Sequence, residues 1–197
     1  MNANDAPRSP QRRTAPALLQ LKIELAWLRP TIWRRIVVPE TIRLGKLHEV
    51  IQVVMGWSDS HLHEFEIDGE RYGIANPDFG FGDSVRSERT ARLGAVLNGK
   101  KTFRYVYDFG DDWEHRIKVE KTLPPDVERK TALCLAGANA CPPDDVGGPP
   151  GYENFIEAIA DPDHPEHEEM LDWVGGSFNP AAFDLERINA LLGKIRL

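Results

Sequence analysis

Six histidines stand in this chain, and three of them fall where apolar residues are expected. In "HLHEFEI", strand alternation puts His61, His63, Phe65 and Ile67 on one face and Glu64 and Glu66 on the other. In "WEHRIKV", His115 shares an apolar face with Trp113, Ile117 and Val119. Two imidazoles at i and i+2 can present metal ligands from one strand, since neutral histidine is the commonest protein ligand. The competing role for each is a hydrogen bond to a backbone carbonyl or a tyrosine hydroxyl in a satisfied core. Spacing leaves both open, because the strand pairing is not written in it.

Carboxylates cluster as well. Asp108, Asp111 and Asp112 bracket the turn in "YDFGDDW", and Asp144-Asp145 lie in "CPPDDVGG". Aspartate and glycine in turns have a conformational explanation: side-chain bonds to local backbone and tolerance of positive φ. Asp108 stands apart because it interrupts a strand of aromatics. A carboxylate there needs a partner, which His115, Arg104 or Arg116 would supply across the hairpin. Cys134 and Cys141 are spaced too widely for a C-x₂-C zinc knuckle, and no second pair exists. They read as loop thiols, with a mixed site borrowing His61 or His63 as the alternative. The candidate polar site is therefore His61, His63, Asp108, Asp112, His115 and Asp145. The candidate metal ligands are His61, His63, His115, Cys134 and Cys141, with a divalent cation such as zinc as the cofactor.

Other chemistry is not signalled. The chain has no G-x-x-x-x-G-K-[ST] phosphate loop and no G-x-S-x-G elbow. Ser58, Ser60 and Ser84 read as polar loop residues. Arg29, Arg34, Arg35 and Arg43 flank Trp33 and read as solvated hairpin ends, with a phosphate backbone as the rival contact. His164 and His167 sit among carboxylates in "DPDHPEHEE", a solvated acidic first turn.

The elements that must position these groups follow from periodicity. "LLQLKIELAWL" alternates strongly, Pro30 breaks it, and "TIWRRIVVP" supplies a second strand and a first hairpin. Leu44, Leu47, Val50, Ile51 and Val54 recur at helical spacing, with Gly56 placed to end the helix. "HLHEFEIDGERYG" predicts a strand, an Asp68-Gly69 turn and a short return. Residues 75–89 read as a loop, and Thr90 as the cap of a short helix ending near Leu97. "KTFRYVYDFGDDWEHRIKVEKTL" is the clearest hairpin, with Phe103, Tyr105, Tyr107 and Phe109 on one face of its first strand. Residues 124–151 read as loop. Helical signals follow at Tyr152, Phe155, Ile156 and Ile159, then from Pro165 to Gly175. A last helix is capped by Asn179-Pro180 and carries Leu185, Ile188, Leu192 and Ile195. Strands first and helices last, joined by hairpins, predict an α+β fold. It is a compact domain with an antiparallel or mixed sheet, helices packed on it and a helical C-terminal part.

Composition bounds the classes. The chain has 197 residues, 41% hydrophobic and 28% charged, with a net charge of −7. The length suits one domain over 18–197, after a Pro- and Arg-containing tail over 1–17 that reads as disordered. An acidic balance argues against a protein that coats nucleic acid, while leaving room for a local basic patch. No apolar run approaches the roughly 18 residues of a spanning helix. With no apolar leader and two cysteines, reduced thiols in a cytoplasm are expected.

Longer motifs carry a resemblance. "RPTIWRRIVVP", "LHEVIQVVMGWSDSHLHEFEI", "YVYDFGDDWEHRIKVE", "CLAGANACPPDDVGGPPGYENFIEAI" and "FNPAAFDLERIN" occur in one order and together resemble the plasmid pRiA4b Orf-3-like family. The likeness covers about residues 18 to 192. It implies a compact α+β domain and the company of plasmids and mobile elements, where some members carry the transposon-passenger label "TnpR". A serine resolvase needs a nucleophilic serine, an arginine cluster and a helix-turn-helix, which do not occur in that order here. The family's motifs include His61, His63, Asp108, Gly110, Trp113, His115, Cys141, Pro142, Pro143, Asp145, Gly147 and Gly148. Many relatives have a further cysteine where this chain has Val146, which counts against a three-thiolate site. Three functions are thus expected to compete. They are a ligand- or metal-binding domain, possible hydrolysis included; a non-catalytic interaction module built on a buried polar network; and a DNA-associated accessory of a mobile element.

Overall fold

The computed structural model describes residues 15–74 and 85–197. Most of the expected N-terminal tail (1–14) and most of the expected loop (75–84) lie outside the described residues. Among the described residues, eight strands form one mixed sheet. They are β1 (Leu18–Leu25), β2 (Trp33–Pro39), β3 (His63–Ile67), β4 (Glu70–Gly73), β5 (Val85–Ser87), β6 (Thr102–Tyr107), β7 (Trp113–Leu123) and β8 (Leu133–Ala138). The order is β5-β4-β3-β6-β7-β1-β2-β8. Every pairing is antiparallel except β4 with β5. Five helices accompany the sheet: α1 (Leu44–Met55), α2 (Leu93–Val96), α3 (Gly148–Ala160), α4 (His167–Trp173) and α5 (Leu185–Leu192). The chain is the expected α+β domain.

Period-two patterning decides which sheet face is covered. Leu21, Ile23, Ile36, Phe65, Tyr105, Tyr107, Trp113, His115 and Ile117 are all essentially buried. The residues between them form cross-strand charge pairs on the open face. Arg104 reaches Glu66 at 3.2 Å and Glu114 at 3.1 Å, Arg71 pairs with Glu64, and Arg35 clasps Glu120 through two bonds of 2.7 and 2.9 Å. α1 lies on the covered face with Leu44, Leu47, Val50, Ile51 and Val54 buried, and it stops at Gly56 in the left-handed conformation (φ 102°). α5 secures the sheet edge, because Asn189 bonds both the N–H and the C=O of Cys134 in β8, at 2.9 and 3.0 Å.

Several local expectations are corrected. β8 lies inside the segment read as loop. It is an edge strand whose "LCLAGA" is apolar or small throughout and so shows no polar/apolar alternation, and it exists because β2 offers a free side. β5 likewise occupies part of the expected loop over 75–89. The alternation of "LLQLKIELAWL" would put Trp27 on the face of Leu21, Ile23 and Leu25, but Trp27 is 65% exposed, since β1 ends at Leu25 and Trp27 adopts φ 69°. Phe109 also lies past its strand and is 40% exposed. Thr90 does not cap α2; Arg92 occupies that position, after a turn. Asn179-Pro180 does not open the last helix. Asp184 does, accepting the Arg187 N–H at 2.9 Å, because a side-chain acceptor at the N-cap satisfies a free amide.

Candidate functional site

The residue types that could do chemistry gather where α1 ends, β3 begins and the β6–β7 turn meets the 141–147 loop. Three backbone devices build the place. Asp108 (φ 58°) and Asp112 (φ 53°) make the turn, and the Asp108 Oδ1 accepts the Gly110 and Asp111 amides at 2.9 and 3.4 Å. The opposite oxygen, Oδ2, is left to face His61. The loop is then fastened over this turn: Gly147 N–H donates to Asp111 Oδ2 at 3.1 Å, and a Cβ on Gly148 would sit 2.5 Å from the Asp111 carbonyl oxygen. Finally, the loop is tied to the end of α1. Trp57 Nε1–H donates to the Pro142 carbonyl at 3.0 Å, and the Ser58 hydroxyl donates to Asp144 Oδ2 at 2.7 Å.

These ties bring His61, Asp108 and Asp145 together, with one ligand atom from each inside a 4.8 Å cluster. His61 Nε2 lies 3.2 Å from Asp145 Oδ1 and 3.7 Å from Asp108 Oδ2. It is a buried nitrogen, yet it makes no hydrogen bond of acceptable geometry among the described residues. The Asp145 side chain is 71% exposed, so the cluster opens to solvent on that side. Beside Asp145, a cleft of about 320 Å³ runs between the loop and helices α3 and α4, walled by Phe155, Met170, Trp173 and Glu169. Asp112 is exposed at the turn and belongs to no such cluster among the described residues.

His63 and His115 go elsewhere. The strand starts at His63, and the chain reaches it through Asp59 in the left-handed region (φ 59°), so the alternation drawn through His61 does not extend back that far. No grouping among the described residues unites His61, His63 and His115. His63 is buried, with Nε2 2.7 Å from Glu88 Oε2. His48 of α1 stacks on its ring at 3.4 Å between centroids, 5° from parallel. His48 in turn sits in a closed ring of bonds. Its Nε2 faces Asp59 at 2.7 Å and its Nδ1 faces the Tyr105 hydroxyl at 2.8 Å. Gln52 donates to that hydroxyl at 3.1 Å and accepts the Asp59 amide at 3.0 Å. Burial, and then the neighbouring His63 charge, lower the His48 pKa, while burial raises the Tyr105 hydroxyl well above its ordinary value. His48, Asp59 and His63 also form a cluster of ligand-type atoms. Its members are nonetheless already bonded, His48 to Asp59 and Tyr105 and His63 to Glu88. That group is a filled network.

His115 is fully buried. Its Nδ1–H donates to the Tyr105 carbonyl at 3.3 Å, its Nε2 has no partner among the described residues, and burial pulls its pKa down to about 4. The Trp57 ring meets it edge-on at 5.2 Å. Trp113 is buried nearby, its Nε1 without a partner among the described residues, 6.1 Å from Trp57 between ring centroids. Cys134 lies buried in β8, and Cys141, which precedes Pro142 and Pro143 in the loop, is raised by burial; neither joins a ligand cluster among the described residues. Arg34, read as solvated, is 3% exposed and donates to four carbonyls, those of Val54, Trp33, Ala138 and Asn139.

Sequence reasoning passed over His48, Asp59, Glu88 and the Tyr105 hydroxyl. His48 did carry a signal: it falls at helical spacing between Leu44 and Ile51, on the apolar stripe. Glu88 carried none, since its burial depends on Gly45. A Cβ there would approach Glu88 Oε1 to 3.1 Å.

Comparison with known proteins extends these motifs to whole chains. The uncharacterized protein y4hQ of Sinorhizobium fredii (strain NBRC 101917 / NGR234) is 45% identical over 175 residues, which cover 88% of this chain and 89% of that one. The crystal structure of a protein of unknown function, MM3350 from Methanosarcina mazei Go1, superposes with a TM-score of 0.79 at 38% identity, covering 88% of this chain and 98% of that one. The sequence profile described as plasmid pRiA4b ORF-3-like protein matches residues 17–187, and the chain belongs to that family.

Proposed function

We propose that the protein is a divalent-metal-binding domain whose ligands are His61, Asp108 and Asp145, with hydrolysis as the chemistry the site suits. The observation that carries this is the His61 Nε2: buried, without a hydrogen bond among the described residues, and set between two carboxylate oxygens. One imidazole and two carboxylates make a mixed nitrogen–oxygen set of net charge −2, suited to zinc or another borderline divalent ion. Three protein ligands leave a coordination position for water, the pattern of catalytic rather than structural sites. A cation there would lower the pKa of that water toward neutrality and supply hydroxide. The open side at Asp145 and the adjoining cleft give a substrate its approach.

A second reading has its own observation. The bonded ring of Asp59, His48, Tyr105 and Gln52, together with the His63–Glu88 pair, is a satisfied buried network of the kind that fixes a fold. In this reading the polar residues hold the loop and α1 in register for a partner, without catalysis. Elemental analysis separates the two. Purified wild-type protein is expected to carry a stoichiometric divalent metal that His61→Ala loses, and chelator is expected to abolish hydrolysis of phosphate esters. Equal metal content in wild type and variant would overturn the first reading.

A further inference from the structure

A concavity of about 910 Å³ lies at the N-terminal end of α1, away from the candidate metal ligands near its C-terminal end. A helix of 12 residues separates the two places by about 18 Å. Six cations line the groove, Arg43, Lys46, Arg92, Arg129, Lys130 and Arg196, against Asp126 as the one side-chain acid. In a chain of net charge −7, that concentration is opposite to the molecule's balance. It is also assembled from four separate segments: the start of α1, the approach to α2, the β7–β8 connection and the residues after α5.

Two of the six have acid partners, Lys46 with Glu49 at 2.7 Å and Arg129 with Asp126 at 3.4 Å. Two details show that the others are left unneutralised. Arg43 and Arg92 are partners in an isolated antiparallel bridge, so like charges stand side by side where an opposite pair would be favourable. Arg43, Lys130 and Arg196 make no side-chain hydrogen bond or ion pair among the described residues. The first turn of α1 carries no acid, and its Leu44 and Gly45 amides are already taken by the Ala91 and Glu88 carbonyls. Side chains, not helix amides, would therefore make the contacts.

We infer that this groove binds the phosphate backbone of duplex nucleic acid, without reading sequence. Arginine forks suit phosphate oxygens. The lining contains no aromatic residue on which an unpaired base would stack, which favours a duplex ridge over a single strand. The apolar lining residues, Leu18, Ile42 and Val127 among them, come from separate segments and form no amphipathic helix face, so the concave groove fits a lipid surface poorly. The inference is independent of the metal site.

The test is fluorescence anisotropy with a labelled 30-base-pair duplex of arbitrary sequence. Four to six phosphate contacts predict a salt slope of about −3.6 to −5.4, so binding weakens roughly 10²- to 10³-fold between 50 and 200 mM salt. The triple variant Arg43→Glu/Lys130→Glu/Arg196→Glu is expected to lose about 100-fold or more at 50 mM salt, and about 2.7 from the slope. Lys101→Glu/Lys118→Glu/Lys121→Glu makes the same change in net charge elsewhere and is expected to lose tenfold or less. The melting temperature checks that both fold; should the groove triple fail to fold, Lys130→Gln/Arg196→Gln takes its place, with an expected loss of about tenfold. His61→Ala is expected to bind duplex as wild type does, which keeps this result separate from the fate of the metal reading. The inference is overturned by no binding at 50 mM salt or by equal losses in the two triples. Displacement of the duplex by millimolar inorganic phosphate, or tighter groove-dependent binding to phosphatidylserine vesicles, overturns it as well.

Discussion

Acid should destabilise this protein through His115. The ring is fully buried, its Nδ1–H is committed to the Tyr105 carbonyl, and its Nε2 has no acceptor to share a proton with among the described residues. A proton added at Nε2 would place a charge among Trp57, Tyr105 and Trp113 with no counter-ion beside it. The folded-state pKa falls to about 4 from the ordinary 6.5 for this reason. Because the folded value is depressed, the unfolded chain binds the proton first as pH drops. The stability due to neutral His115 is thus complete above pH 6.5 and is lost between pH 6.5 and 4. A gap of that size at 1.36 kcal/mol per unit comes to about 3 kcal/mol, a large part of a typical domain's stability. The assay is urea unfolding in steps from pH 7 to 4, comparing wild type with His115→Phe, which keeps an aromatic ring and removes the titration. Stability at pH 7 is expected to fall by about 1 kcal/mol in the variant, from the lost carbonyl bond. Over the lower range wild type should then lose about 3 kcal/mol more than the variant. His48, also lowered by burial, titrates in both proteins and cancels in the comparison. Parallel stability curves would refute the reasoning.

Three further outcomes follow from the geometry. Gly151→Ala places a Cβ 2.1 Å from the Val146 carbonyl oxygen, so it should cost about 1–3 kcal/mol and weaken whatever Asp145 binds; urea unfolding and metal titration measure both. Glu88→Ala leaves buried His63 without its carboxylate and should cost roughly 3 kcal/mol, read as a shift in the denaturation midpoint. The Arg35 bonds hold Glu120 down to about 2 against an ordinary 4.5, so its contribution is present above pH 4.5 and fades toward pH 2. Glu120→Gln should therefore flatten the stability profile over that window, and an unchanged slope would contradict it.

Much of the fold was legible, and the reasons are physical. The β1–β2 and β6–β7 hairpins and α1 bury one face each, so their periodicity is written in residue type. β8 and β5 escaped because an edge strand is specified by the neighbour it pairs with. The site was legible in its parts and not in its grouping. Asp108, Asp145 and His61 were singled out, but His63 and His115 were expected beside them. Which histidines meet is decided by the left-handed Asp59 before β3 and by Glu88, a residue that only the folded chain brings near. His48 shows the limit from the other side, since a polar residue on an apolar helical stripe is visible in sequence while its stacking partner is not.

The central claim is that His61, Asp108 and Asp145 hold a divalent cation, and calorimetric titration of metal-stripped protein with zinc tests it most directly. The account predicts one equivalent bound by wild type and by His115→Phe, with His61→Ala and Asp145→Asn each weakened by at least the 10- to 100-fold that lost supporting contacts cost a metal site. No binding by wild type, or equally tight binding by His61→Ala and Asp145→Asn, would contradict it.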